Sequence, residues 1–283
     1  MNEKISIYIP TYNSEATIEE STNSVLNQSI KFDQIIIVND GSNDNTKNIL
    51  SKFNSIEIIT NSKNLGVGKS RNIGIDACKN DLVASIDSDV VLDKYWLENI
   101  LKVFKEKKAV YCCGNLKEKY LQNSYNQWRS QNYRLNWGEA DVHNPPFIFT
   151  CNTLHYKNVW KNVGGFDENF TYPGGEDVDY SIKVSKMYDN KNLYSSKSLC
   201  LHLCNDNIDT LSNRVWRYHS FAYKIKKPSI LKLVKISLKQ FNFFIKRSLS
   251  DLFKLNFKFI LINFNVFIKF IKFELEYLKK NKV

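Results

Sequence analysis

Between residues 5 and 92 one pattern recurs four times: a short apolar run, then a polar turn holding Asp, Asn or Gly, then helical spacing. The runs are residues 5–10, 35–38, 56–60 and 82–92. The intervening helices are expected over about 16–28, after a cap at Asn43 or Asp44, and over 64–78. Such alternation predicts an α/β fold with a mostly parallel, doubly wound sheet, because parallel strands need helical crossovers. The run LVASIDSDVVL reads as a buried strand with Asp87 and Asp89 at its carboxyl end, where open α/β sheets place ligands. If the chain stays extended there, the two carboxylates point the same way and suit a hard divalent cation. The plainer reading is an acidic surface turn.

The other strand ends carry chemistry of their own. Asp40, before Gly41-Ser42, suits a nucleobase N–H or a ribose hydroxyl, or simply caps its own turn. Gly66 and Gly68 would let backbone amides approach a phosphate, with Arg71 one turn later as a pyrophosphate partner. Neither a P-loop nor a dinucleotide fingerprint is present. Further on, Gly174-Gly175 leads into Glu176, Asp177 and Asp179. Acids favour a helix N-terminus, but three in four positions behind a double glycine exceed what capping requires.

Charge is unevenly placed. Residues 214–283 hold 17 Lys/Arg against 3 Asp/Glu, whereas residues 1–213 hold 23 against 26. The near-neutral body argues against a nucleic-acid groove. Six cysteines without framework spacing, and a start (MNEKISIYIP) unlike a signal peptide, lead to the expectation of a reducing, cytoplasmic setting. Cys200, His202 and Cys204 would share a strand face, yet no fourth zinc ligand is evident, so buried thiols are the simpler reading.

Taken together, SIYIPTYN, IIIVNDGSNDNT, NLGVGKSRNIGI and ASIDSDVVL resemble the nucleotide-sugar half of family 2 glycosyltransferases with the GT-A fold, in order and roughly in spacing. GGFDE followed by GED resembles that family's acceptor-side motif, so the likeness covers about residues 5–202. It departs at Asn39, where relatives commonly carry a second Asp. The resemblance implies that Pro10, Thr11, Tyr12 and Asn13 line the nucleoside pocket, with Asp40, Gly66, Arg71 and Ser88 also on the donor. It implies that Asp87 faces ribose or metal, and that Asp89 and His202 ligate Mn²⁺ or Mg²⁺. Asp177 would be the general base, with Glu176 beside it. Trp137, Asn152, Gly174 and Gly175 are acceptor-side candidates, and part of the aromatic-rich connection around Trp128, Arg129 and Tyr133 is expected either to line the acceptor cleft or to pack in a core.

The implied activity is inverting transfer of a sugar, UDP-linked by the family's weight, to a glycan or lipid-linked acceptor. A glycoside hydrolase also uses paired carboxylates but has no need of Asp40, Arg71 and Asp89. A catalytically silent sugar-binding module is the non-enzyme alternative. Two domains are expected: 1–213, divided near residue 100 into donor and acceptor halves, and a basic helical extension, 214–283. Over 228–283 Lys alternates with Phe, Ile and Leu, and Lys258 and Lys269 interrupt the best apolar run. That pattern suits helices lying on the inner membrane surface, or packed on the domain or on a second copy in a homo-oligomer.

Overall fold

The computed structural model describes residues 3–170, 174–189, 191–225 and 230–281. Tyr172 and Pro173 of the glycine-rich loop, and Pro228 of the tail, lie outside the described residues. The chain divides into two compact units, Met1–Lys119 with Leu135–Leu203, and Tyr120–Arg134 with Cys204–Val283.

Continuous apolar runs bury both faces of a strand, which builds the first unit. Its elements are β1 (Ile5–Thr11), α1 (Ile18–Leu26), β2 (Gln34–Asn39), α2 (Thr46–Leu50), β3 (Glu57–Thr60), α3 (Val67–Ala77), β4 (Leu82–Ile86), β5 (Val90–Leu92), α4 (Trp96–Glu106) and β6 (Tyr111–Glu118). After α5 (Ser124–Asn132), which belongs to the second unit, come β7 (Val142–His143), β8 (Asn152–Tyr156), α6 (Lys157–Val163), α7 (Glu176–Met187) and β9 (Asn192–His202). The sheet order is β3-β2-β1-β4-β8-β6-β9-β5, with β7 also on β9.

β3, β2, β1 and β4 run parallel, in register Ile7↔Ile35 and Ile7↔Ala84. β8 is antiparallel to both β4 and β6, and β5 and β7 are antiparallel to β9. The sheet is therefore parallel across β3, β2, β1 and β4 and mixed beyond them. Alternate strand residues feed two cores. Ile7 and Ile9 pack with α1, α2 and α4 on one face, while Tyr8 and Val38 pack with α3, α6 and α7 on the other.

The second unit is helical: α5, α8 (Ile208–Ile225), α9 (Ile230–Phe253) and α10 (Phe257–Asn281). Trp128, Leu211, Val215, Phe244 and Phe259 form its core. Trp128 donates to Asn263 Oδ1 at 2.7 Å, and buried Arg129 lies 3.0 Å from buried Asp206. Tyr133 stacks beside Trp128 and under the Arg247 guanidinium. Of the two readings of Trp128, Arg129 and Tyr133, the structure shows core packing, in the helical unit. The unit also begins ten residues before the expected position 214 and recruits α5 from mid-chain. Among the described residues no helix is long and apolar enough to cross a membrane.

Candidate active site

The 82–92 run is broken where its acids lie. The Asp87 N–H donates to the Cys151 carbonyl and the Val90 N–H folds back onto the Asp87 carbonyl, each at 3.1 Å. β5 then leaves β4 and pairs with β9. Asp87 and Asp89 therefore occupy a turn at the sheet's carboxyl edge, not an extended strand, and their carboxylates find separate partners.

Asp87 Oδ1 accepts from Arg71 Nη2 at 2.8 Å. The same nitrogen stands 3.9 Å from Glu176 Oε1, and Nη1 donates to the Thr150 carbonyl at 3.5 Å. Arg71 is buried, its guanidinium over Phe166, which stacks on Tyr180 at 4.2 Å between centroids. Burial works against its charge, but Asp87, Tyr8 and Glu176 outweigh it and raise its pKa further. One buried cation thus ties the 87–89 turn to the acids at the start of α7.

Those acids are set by backbone geometry. Gly174 and Gly175 take φ of 133° and 100°, left-handed values that favour glycine, and turn the chain into α7. The Gly174 N–H donates to Glu176 Oε2 at 2.7 Å, so the buried Glu176 is held from both sides. Asp177 is half-buried and accepts from the Val178 N–H at 2.9 Å. Burial, then the charge of Glu176, pushes its pKa up to about 7, against a lowering by Arg71. Asp179 pairs with Lys183 at 2.7 Å, the ordinary i,i+4 surface arrangement.

Asp89 Oδ2 lies 3.2 Å from His202 Nε2, and Glu118 Oε2 lies 3.2 Å from Nδ1. Burial pulls the imidazole pKa down; Asp89 and Glu118 more than reverse this and leave it raised. Two ligands at right angles on one Mg²⁺-sized ion stand about 3 Å apart, given bonds of ~2.1 Å. The Asp89–His202 spacing fits that geometry, with the ion in place of the Nε2 proton. Metal-bound histidines commonly give their other nitrogen to a carboxylate, as here to Glu118. No group of three or more His, Cys, Asp or Glu that could hold a metal occurs among the described residues. Asp89 and His202 would thus supply two ligands of such an ion. Glu118 escaped the sequence reading because only the pairing of β6 with β9, Glu118↔His202, brings it there.

At the tip of β1, Pro10 and Thr11 are buried, Thr11 Oγ1 has no hydrogen-bond partner among the described residues, and Tyr12 is exposed. Asn13 takes φ 49° and accepts from the Asn43 N–H at 3.0 Å. Ser88 Oγ meets Ser14 Oγ at 2.8 Å, joining this loop to the acidic turn. Asp40 differs from expectation. It is buried and accepts from Asn61 Nδ2 (2.7 Å), Leu65 N (2.9 Å) and Gly66 N (2.9 Å), so it anchors the 61–66 turn. The Gly66 amide is consequently committed to Asp40 rather than open to a phosphate. Gly68 serves packing, since a Cβ there would stand 2.7 Å from the Asp167 carbonyl oxygen.

Of the remaining candidates, Asn152 is a correction. It is fully buried, its Oδ1 accepting from Gly114 N at 2.6 Å and Trp96 Nε1 at 3.4 Å, which leaves no face for a sugar. Trp137 is half-buried, donates to the Phe147 carbonyl at 3.1 Å and packs on Phe147 and Phe149.

A doubly wound sheet with an acidic turn at its edge and a second acidic pair at a glycine-led helix start defines a GT-A-type transferase fold. Residues 6–166 match Glycosyl transferase family 2, and the chain belongs to that family. It is 28% identical over 196 residues to an uncharacterized glycosyltransferase of Haemophilus influenzae, covering 65% of this chain and 60% of that one. It is 30% identical over 214 residues to the minor teichoic acid biosynthesis protein GgaB of Bacillus subtilis, covering 66% of this chain and 22% of the relative. The chain thus spans less than two thirds of the length of each of these relatives. Among solved structures, a mannosyltransferase of Pyrobaculum calidifontis in complex with GDP-Man and Mn²⁺ shares the fold at TM-score 0.65 and 13% identity, over 97% of this chain and 88% of the other. S. aureus TarS 1–349 in complex with UDP-GlcNAc does so at TM-score 0.57 and 18% identity, over 78% and 72%.

Proposed function

We propose that this chain is an inverting glycosyltransferase of cell-surface polysaccharide or glycoconjugate synthesis. It moves a hexosyl or N-acetylhexosaminyl group from a UDP-linked donor to a hydroxyl of a glycan or lipid-linked acceptor, at the inner face of the cell membrane. The observation that carries this reading is the buried Arg71 bridge: Asp87, on the donor-side turn, and Glu176, next to Asp177, share one guanidinium. A nucleotide held at the turn and an acceptor held at Asp177 would therefore meet across a few ångströms.

In this reading the nucleoside lies against Thr11, Tyr12 and Asn13, with Asp87 on the ribose. Asp89 and His202 would hold Mn²⁺ or Mg²⁺, which when bound would supply positive charge to the diphosphate leaving group. Arg71 holds the Asp87 and Glu176 carboxylates in place, and Asp177 takes the proton of the attacking hydroxyl. A base with a pKa near neutrality matches that task, being ionised and still basic enough to accept. Attack from the face opposite the diphosphate inverts the anomeric centre.

The test is UDP release from a panel of UDP-sugars with Mn²⁺, comparing wild type with Asp177→Asn. Loss of a positioned general base costs about 10²–10⁴ in rate. The variant should bind donor normally and turn over that much more slowly. Full turnover by Asp177→Asn would remove the assigned base, and the absence of release with every nucleotide sugar would remove the transferase reading.

A further inference from the structure

On α9, the large apolar residues Leu231, Val234, Leu238, Phe241, Ile245 and Leu249 recur every three or four positions, yet they are 44–76% exposed. On α10, Phe257, Leu261, Phe264, Ile268 and Leu275 repeat the pattern at 50–64% exposure. This spacing puts each set on one helix face. Neither face is the core face, which α9 makes with Gln240 and Phe244 and α10 with Phe259, Ile262, Val266 and Phe270.

The two helices are an antiparallel hairpin, as Ser237 bonds Glu274, Phe241 packs on Phe267 and Asn263 bonds Ser248. At 100° per residue, turning from this seam away from the core on α9 meets the apolar stripe, then Lys235, Lys239 and Lys246. The same turn on α10 meets its stripe, then Lys258, Lys272 and Lys279. Because the helices run oppositely, the two rotations bring both stripes to the same outer side. The outer face is a double apolar ridge with a row of exposed lysines along each rim, and Phe253 and Leu255 continue it onto the connecting turn.

We infer that this face docks the hairpin flat on an anionic lipid surface. Charge selects that occupant. Of the three acids among residues 230–281, Asp251 and Glu274 are buried and only Glu276 is exposed, so a second copy laid on this face would set lysine row against lysine row. A lipid surface offers acyl chains to the ridge and phosphates to the rims. Neither α9 nor α10 is long and apolar enough to cross a membrane, so the hairpin lies in the interface plane. The inference gives residues to the membrane placement proposed above and stands apart from the transfer chemistry.

The experiment is flotation of the full chain with phosphatidylcholine vesicles, with and without phosphatidylglycerol. It compares wild type, Leu238→Glu with Phe264→Glu, and Lys239→Glu with Lys246→Glu and Lys272→Glu. Circular dichroism and UDP release without vesicles check folding and the transferase reading separately. Wild type should float with the anionic vesicles, and salt should weaken it. Each lysine near such a surface contributes roughly fivefold to partitioning. The triple reversal should therefore lose far more than tenfold, and the double apolar variant should stay in solution. The inference falls if wild type does not float, if the double variant floats like wild type, or if wild type is an oligomer that the double variant dissolves while neither binds vesicles.

Discussion

Replacing Arg71 by Met keeps the volume of the side chain and removes the cation between Asp87 and Glu176. At an effective dielectric of ~20, two unit charges 4 Å apart interact by about 4 kcal/mol. The 3.9 Å contact to Glu176 is of that order before desolvation is counted, and the 2.8 Å bond to Asp87 is shorter. Breaking a buried pair by deleting one partner costs about 3–5 kcal/mol, because the other charge is left without compensation. For a unit of this size that lowers the melting transition by roughly 10 °C. The same change acts on Asp177, whose pKa Arg71 lowers, so its proton should leave at a pH higher than in wild type. Urea unfolding measures the first effect and the acid limb of kcat/KM against pH measures the second. Adding Glu176→Gln and Asp87→Asn should return much of the stability without returning activity, since no stranded charge remains. Unfolding within about 1 kcal/mol of wild type, or an acid limb that stays in place, would refute the bridge as the link between the two carboxylate sets.

Wild-type kcat/KM should rise with pH and level off above about 7, since Asp177 must be ionised to accept a proton. The contribution of Asp177 to stability runs the other way: a folded-state pKa raised from 3.8 favours the folded protein when protonated, an advantage lost as pH climbs through about 7. Glu118→Gln should weaken Mn²⁺ binding by about 10–100-fold, read by paramagnetic resonance titration of the donor-free protein, with little change in melting temperature. Gly68→Ala forces a methyl to within 2.7 Å of the Asp167 carbonyl oxygen. It should cost about 1–3 kcal/mol in urea unfolding.

Much of the architecture was legible in the chain. Apolar runs such as IIIV and LVAS bury both strand faces wherever they pair, and the turn chemistry after each run places Asp40, Asp87 and the Gly174-Gly175 hinge at strand or helix ends. The amphipathic character of the tail was equally plain, being a matter of helical period and lysine content. Local pattern carries all of this, because each signal extends only a few residues along the chain.

What the fold alone decided are the pairings between distant segments. The sequence suggests an Arg71 that reaches out to a pyrophosphate, but α3 packs it inward against Phe166, Asp87 and Glu176. Asp40 suits, from its sequence, a base, a ribose or its own turn, but the 61–66 turn closes over it, and Asn152 is spent on Gly114. Glu118 acquires a role only because β6 and β9 lie side by side, and α5 leaves the sheet region to join a core supplied by helices far along the chain. A side chain's charge and spacing are properties of the sequence. The direction it faces, and whether its partner is water or another residue, depends on which remote segments the sheet and the helices bring against it.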